Sequence, residues 1–103
     1  MNEWVDVLPV AEFASGTWQT LMLEGQAVVV FHLDDGFYGL EDCCTHDGSD
    51  LSSGDVEGSD IICPLHGARF DIKTGAVLVP PAEEDVKVVA VRVDHGMVQV
   101  RRS

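Results

Sequence analysis

Two stretches decide how this chain reads: Cys44-Thr45-His46 and, sixteen residues later, Cys63-Pro64-Leu65-His66. Each places a thiol and an imidazole one or two residues apart. Two thiolates favour zinc or an iron–sulfur centre, and imidazole serves either. A structural Cys2His2 zinc site usually draws both thiolates from one half and both imidazoles from the other. Here each half offers one of each. That arrangement suits a two-iron cluster in which one iron takes both Cys and the other both His.

The segment around these motifs, residues 42–82, is rich in Gly, Ser, Asp and Pro and holds all three cysteines and two of the four histidines. It reads as loops set into a β scaffold, where functional groups commonly sit. Outward from it, the chain alternates between strand formers and turn residues. Trp4–Val7, Thr17–Leu23, Ala27–Leu33 and Phe37–Leu40 read as strands before it, and Val86–Val93 and Met97–Arg101 after it. Glu24-Gly25, Asp34-Asp35-Gly36 and Asp94-His95-Gly96 read as the turns between them. Pro9–Phe13 is suited to one helical turn with Pro at its start. No stretch sustains a 3.6-residue apolar period, so the predicted class is all-β.

Length and charge narrow the function. At 103 residues and 11.2 kDa, one domain spanning residues 1–103 is expected. No apolar run approaches the ~20 residues of a membrane span. The opening Met-Asn-Glu-Trp-Val-Asp lacks the basic-then-apolar pattern of a signal peptide, which makes the cytoplasm the expected compartment. The net charge is −12, and all six Lys/Arg lie at or after Arg69, leaving thirteen acids and no Lys or Arg in residues 1–68. Such a surface repels a phosphate backbone, so nucleic acid is excluded as a general partner. The same field would steer a basic protein partner and weaken with salt. Three cysteines cannot all pair within one chain, which favours metal chemistry over a disulfide framework.

Cys44-Thr45-His46 with Gly48, and Cys63-Pro64-Leu65-His66-Gly67-Ala68-Arg69-Phe70-Asp71, resemble the paired motif of the Rieske [2Fe–2S] family. Thr74-Gly75, the Pro80-Pro81-Ala82 loop and the final hairpin also fall where that family has them, so the likeness runs over nearly the whole chain. The resemblance implies an antiparallel β sandwich carrying a small cluster-binding subdomain formed by two loops, about residues 42–82. It implies one [2Fe–2S] cluster per chain, with Cys44 and Cys63 on the inner iron and His46 and His66 on the outer one. Exchanging two thiolates for neutral imidazoles raises the formal charge of the cluster by about two units, so it accepts an electron more readily than an all-Cys cluster. Rieske potentials span roughly −150 to +300 mV.

Departures from the high-potential branch of the family point to the low end of that range. Ser49 and Leu65 stand where that branch carries an extra disulfide pair, and Ala68 and Phe70 where it places hydroxyl donors. Seven acids and no bases lie between Glu41 and Asp60, and negative charge disfavours reduction. These features match the soluble ferredoxins that serve ring-hydroxylating dioxygenases. The resemblance therefore implies a monomeric, non-membrane one-electron carrier. A flavin-dependent ferredoxin reductase would donate, a terminal oxygenase would accept, and His46 and His66 would form the exit point. No nucleophile paired with a base and no phosphate-binding Gly loop suggests catalysis by the chain itself. Competing readings are a Rieske-type accessory or redox-regulatory protein tied to iron–sulfur assembly, a nitrite-reductase small-subunit-like protein (whose type commonly lacks the four ligands present here), and a zinc-bound structural module.

The remaining candidates read as structural. Cys43, directly before a ligand, is expected to be a small buried apolar residue. His32 and His95 lack a partner motif and are expected to be structural or solvated. Trp4 and Trp18 suit packing. Asp34-Asp35 and Glu83-Glu84-Asp85 suit solvated loops, and the Pro80-Pro81 loop is expected to cover the cluster. Gly48 and Gly67 are expected to let backbone amides approach its sulfurs.

Overall fold

The apolar run Ala27–Phe31 has no polar alternation because both faces of its strand are buried. Val28 and Val30 point into one core and Val29 and Phe31 into another, and all four are shielded from solvent. The rest of the molecule is arranged around that double-faced strand.

The computed structural model describes residues 3–45, 50–64, 67–80 and 84–101. Among them, six strands form one antiparallel sheet in the order β1-β10-β9-β4-β3-β2. These are β1 (Val5–Pro9), β2 (Trp18–Leu23), β3 (Gln26–Leu33), β4 (Gly36–Glu41), β9 (Val88–Asp94) and β10 (Met97–Arg101). A second antiparallel sheet, β5-β6-β7-β8, is built from Asp55–Glu57, Asp60–Ile62, Arg69–Asp71 and Val77–Val79. Two short 3₁₀ turns, Val10–Glu12 and Leu51–Ser53, complete the elements. The all-β antiparallel reading is borne out. The expected helical turn after Pro9 is the Val10–Glu12 3₁₀ turn, closed by the Phe13 N–H on the Val10 carbonyl at 3.1 Å.

The 42–82 segment departs from the sequence expectation. It is not only loop, because it contains the whole second sheet. Each of its strands is three residues long, too short for a period-2 pattern to emerge between the flanking Gly, Ser and Asp.

The large sheet is pinned by two-residue hairpins. Glu24 and Gly25 both adopt positive φ (51° and 83°), as do His95 and Gly96 (50° and 78°). That conformation matches the twist of the flanking strands. It also accounts for His95, a turn residue with no role in the core. Strands β4 and β9 pair only through Gly39 with Val89 and Leu40 with Val88. A side chain at position 39 would run into the Val89 and Val91 methyls, so glycine lets β9 close onto β4.

Two cores result. One lies within the large sheet and joins Phe13, Leu23, Val28, Val30, Val89, Val98 and Val100. The other lies between the sheets. It joins Val29, Phe31, Leu33 and Leu40 to Leu51, Ile61, Phe70, Ile72 and Val86, and includes Cys44 and Cys63. Burial of each large apolar side chain contributes about 1.5–3 kcal/mol. His32 is structural, as its sequence context implies. Its Nδ1–H donates to the Phe13 carbonyl at 2.7 Å, and its ring stacks on Phe37 with centroids 4.1 Å apart. The guanidinium groups of Arg92 and Arg101 each lie over the Trp4 ring, 4.4 and 4.7 Å from its centroid.

Candidate metal centre

Both cysteines of the paired motif sit at strand exits. Cys44 follows β4 by three residues, and Cys63 directly follows β6. Each is 1% exposed, and both belong to the core between the sheets, beside Leu51, Ala68 and Phe70. Nineteen positions apart in sequence, the two thiols are thus delivered to one dry region. His46 and His66 lie outside the described residues. Among the described residues, no three or more His, Cys, Asp or Glu groups converge as a metal site.

The second turn is a closed hairpin tip. The Cys63 N–H donates to the Ala68 carbonyl at 2.7 Å, and the Gly67 N–H returns to the Cys63 carbonyl at 3.2 Å. Gly67 takes φ +74°, a left-handed conformation that a β-carbon disfavours. The two backbone bonds close the turn at its base. Just past it, Arg69 donates to Glu57 Oε1 at 3.0 Å and to Asp60 Oδ2 at 3.3 Å. The Glu57 bond is foremost in raising the Arg69 pKa above its ordinary value. The base nearest this turn is thus already neutralised by carboxylates. Ala68 and Phe70 are fully buried and offer no hydroxyl donor.

The first turn is braced by a group that the sequence reading did not single out. Asp42 is a buried carboxylate, 5% exposed. Its Oδ1 accepts the Ser52 N–H at 2.8 Å, and its Oδ2 accepts the Ser52 hydroxyl at 2.7 Å. The Ser52 carbonyl accepts the Trp18 Nε1–H at 3.0 Å. Asp42 and Ser52 stand on either side of the stretch holding Cys44 and His46, so the turn is clamped at its base. On its far side, the Thr45 hydroxyl donates to the Glu84 carbonyl at 2.6 Å, tying the turn to the segment that follows the Pro80 loop. No local pattern in the sequence pairs an Asp with a Ser ten positions on.

Several sequence expectations are refined. Cys43 is only half-buried rather than core, because the chain leaves the strand at Asp42, and its thiol donates to the Cys44 carbonyl at 3.8 Å. Asp35 does more than solvate a loop, since it accepts from both Tyr38 and Lys73. Glu84 contributes its carbonyl, and Asp85 accepts the Val77 N–H at 2.9 Å. Trp18 packs against the inter-sheet core, as expected, and donates to Ser52 as well. The covering role of Pro81-Ala82, the amide role of Gly48 and the charge of Glu83 fall outside the described residues, as do Ser49 and Leu65.

An antiparallel fold with two buried cysteines, one leaving the large sheet after β4 and the other leaving the small sheet after β6, each two or three positions before a histidine in sequence, defines an iron–sulfur protein of the Rieske class. The chain belongs to that family: the Rieske [2Fe–2S] domain model matches residues 3–90, and its cofactor is a [2Fe–2S] cluster. The donors present fit that group, since two buried soft thiols from separate turns belong to one apolar core. In sequence the chain is similar to the ferredoxin component of the naphthalene 1,2-dioxygenase system of Pseudomonas aeruginosa, 30% identical over 96% of this chain and 95% of that one. In structure it is similar to a chain in the complex of reduced oxygenase and oxidized ferredoxin of carbazole 1,9a-dioxygenase. The TM-score is 0.91 at 32% identity, with 98% of this chain and 94% of that one covered. The carbazole 1,9a-dioxygenase ferredoxin of Nocardioides aromaticivorans IC177 superposes with a TM-score of 0.90 at 29% identity, covering 97% and 98%. No helix among the described residues is long and apolar enough to cross a membrane.

Proposed function

We propose that this chain is a cytoplasmic, monomeric Rieske ferredoxin. It takes single electrons from a flavin-dependent reductase and passes them to a terminal oxygenase of the ring-hydroxylating type. In this reading residues 1–103 form one domain, and the 42–82 segment with its small sheet is the cluster-bearing part. Cys44 and Cys63 hold the inner iron, and His46 and His66 the outer one. The observation that carries the reading is the joint burial of Cys44 and Cys63 in the inter-sheet core, each at the head of the turn that carries a histidine. The near end-to-end likeness to ferredoxin components of dioxygenase systems supports the assignment of partners.

When bound, the cluster supplies one-electron chemistry within roughly −150 to +300 mV. The protein's part is to fix the donors and set the field around them. Apolar burial keeps water from the thiolates. The acids from Glu41 to Asp60, with Arg69 already paired, keep the local potential negative and disfavour reduction. A value in the lower part of the range follows. His46 and His66 form the exit, because a ligating imbnidazole can still present its second ring nitrogen to a partner.

The test is spectroscopic and then functional. Purified protein should be coloured, contain two irons per chain, and give a reduced-state EPR signal with average g below the free-electron value. Colourless protein holding one zinc overturns the reading. Reductase, this chain and a candidate oxygenase should together form product, with a rate that falls as salt is added. Product formation that does not depend on this chain overturns the carrier role.

A further inference from the structure

The ligand turns differ in how they are held. The second closes on itself through backbone bonds between Cys63, Gly67 and Ala68. In the first, Asp42 and Ser52, which flank the turn in sequence, are joined through the Asp42 side chain. Asp42 lies two positions before Cys44, and its carboxylate takes both the amide and the hydroxyl of Ser52. Its own N–H is fixed on the Ala27 carbonyl of β3 at 2.9 Å. The charge is therefore anchored to the rigid sheet at its backbone and to the returning chain at its side chain. Ser52 is held from the other side by Trp18, whose ring packs against Phe31 of the inter-sheet core.

A carboxylate buried to this degree is costly to desolvate unless its oxygens are satisfied. Asp42 is the only buried charged residue among those described, and nothing in the packing of the large sheet requires a charge there. Both oxygens are spent on one serine, which spans the turn. We propose that Asp42 is the positioning residue of the first ligand turn: through Ser52 it holds Cys44 and His46 in the ligating arrangement, and its fixed negative charge lowers the cluster's reduction potential. The inference rests on the ligand assignment proposed above.

Ser52→Ala removes one bond and keeps the charge. Asp42→Ala removes both bonds and the charge. Asp42→Asn keeps the shape: its Oδ1 still accepts the Ser52 N–H, and its Nδ2–H donates to the Ser52 hydroxyl, which turns to accept. Two quantities are read on the purified, cluster-loaded proteins: the half-life of the visible absorption under an iron chelator, and the midpoint potential by voltammetry. Ser52→Ala should shorten the half-life about tenfold or more, the equivalent of one charge-assisted bond, and leave the potential near that of wild type. Asp42→Ala should shorten it further. Asp42→Asn should restore most of the half-life while moving the potential upward, a combination that a purely architectural residue would not give. Wild-type retention in both Ser52→Ala and Asp42→Ala overturns the proposal, as does an unchanged potential in Asp42→Asn or a half-life in Asp42→Asn as short as in Asp42→Ala. If Asp42→Ala fails to fold, Ser52→Ala and Asp42→Asn carry the test alone. Wild-type protein without a two-iron cluster would defeat the ligand assignment instead; a wild-type cluster with indifferent variants defeats only this inference.

Discussion

The two sheets of this molecule are held by different means. The six-stranded sheet has strands of five to eight residues, two-residue hairpin turns and an apolar core of its own. The four-stranded sheet has strands of three residues, and its apolar side chains are shared with its larger neighbour. What closes it is a set of point attachments: Arg69 to Glu57 and Asp60, Asp85 to the Val77 amide, and the Val86 amide to the Gly75 carbonyl. The part that carries the proposed redox centre is therefore the less self-sufficient part. A site that must expose ligands to a partner cannot also be wrapped in core, so its order is drawn from the scaffold and from the metal.

The largest test of this contrast is removal of iron. Chelation should abolish amide-exchange protection in residues 55–79 while β2, β3 and β4 keep theirs; equal loss in both sheets would erase the distinction. Next is Phe31→Ala, at the wall between scaffold and small sheet. It should cost about 3–5 kcal/mol by denaturant unfolding, because the cavity opens in a fully buried site. Gly75→Ala comes third. Position 75 takes φ +78°, and a β-carbon there would collide with the Val86 carbonyl oxygen, so a loss of about 1–3 kcal/mol is expected. Protection should fall around residues 71–77 before it falls in β3, and the reverse order would count against the contrast.

The smallest effect belongs to the surface pair that bridges the two regions. Lys73 donates to Asp35, which also accepts from Tyr38 at 3.1 Å. The Lys73 bond holds the Asp35 pKa below its ordinary value and, in return, the Lys73 pKa above its own. The contribution of the pair is present above the ordinary carboxylate range and below the ordinary lysine range. It is lost as pH falls through the depressed Asp35 value and again as pH rises through the raised Lys73 value. Lys73→Met should flatten both limbs of the stability–pH curve slightly, and added salt should remove the difference, since the pair is open to solvent. A mutant difference that persists in high salt would show the bridge to be more than a surface contact.

The large sheet was legible because its signals are local. Alternation, the Glu24-Gly25 and His95-Gly96 turns and the uninterrupted apolar run of β3 each lie within a few neighbouring residues. Met97–Arg101 is a strand with the same limits in sequence and structure, the ends at Leu23 and Leu33 coincide too, and the other edges moved by one or two positions, as at β9, which begins at Val88 rather than Val86. The paired Cys–His motif was legible because thiolates and imidazoles at that spacing have few other uses. The small sheet was not, because three residues cannot display a period. The Asp42–Ser52 clamp was not, because it joins positions that meet only once the turn has formed. Cys43 was misjudged for a related reason: the chain turns at Asp42, so the residue after it is neither strand nor core.

The chain has two tryptophans, and the fold gives them separate surroundings. The Trp4 ring is covered by arginines of β9 and β10, whereas the indole nitrogen of Trp18 rests on the serine that anchors the ligand turn. Replacing either one by phenylalanine leaves a single tryptophan, one reporting on the six-stranded scaffold and the other on the metal-bearing end. The same pair of proteins then gives an optical readout of whether the two halves loosen together or one after the other.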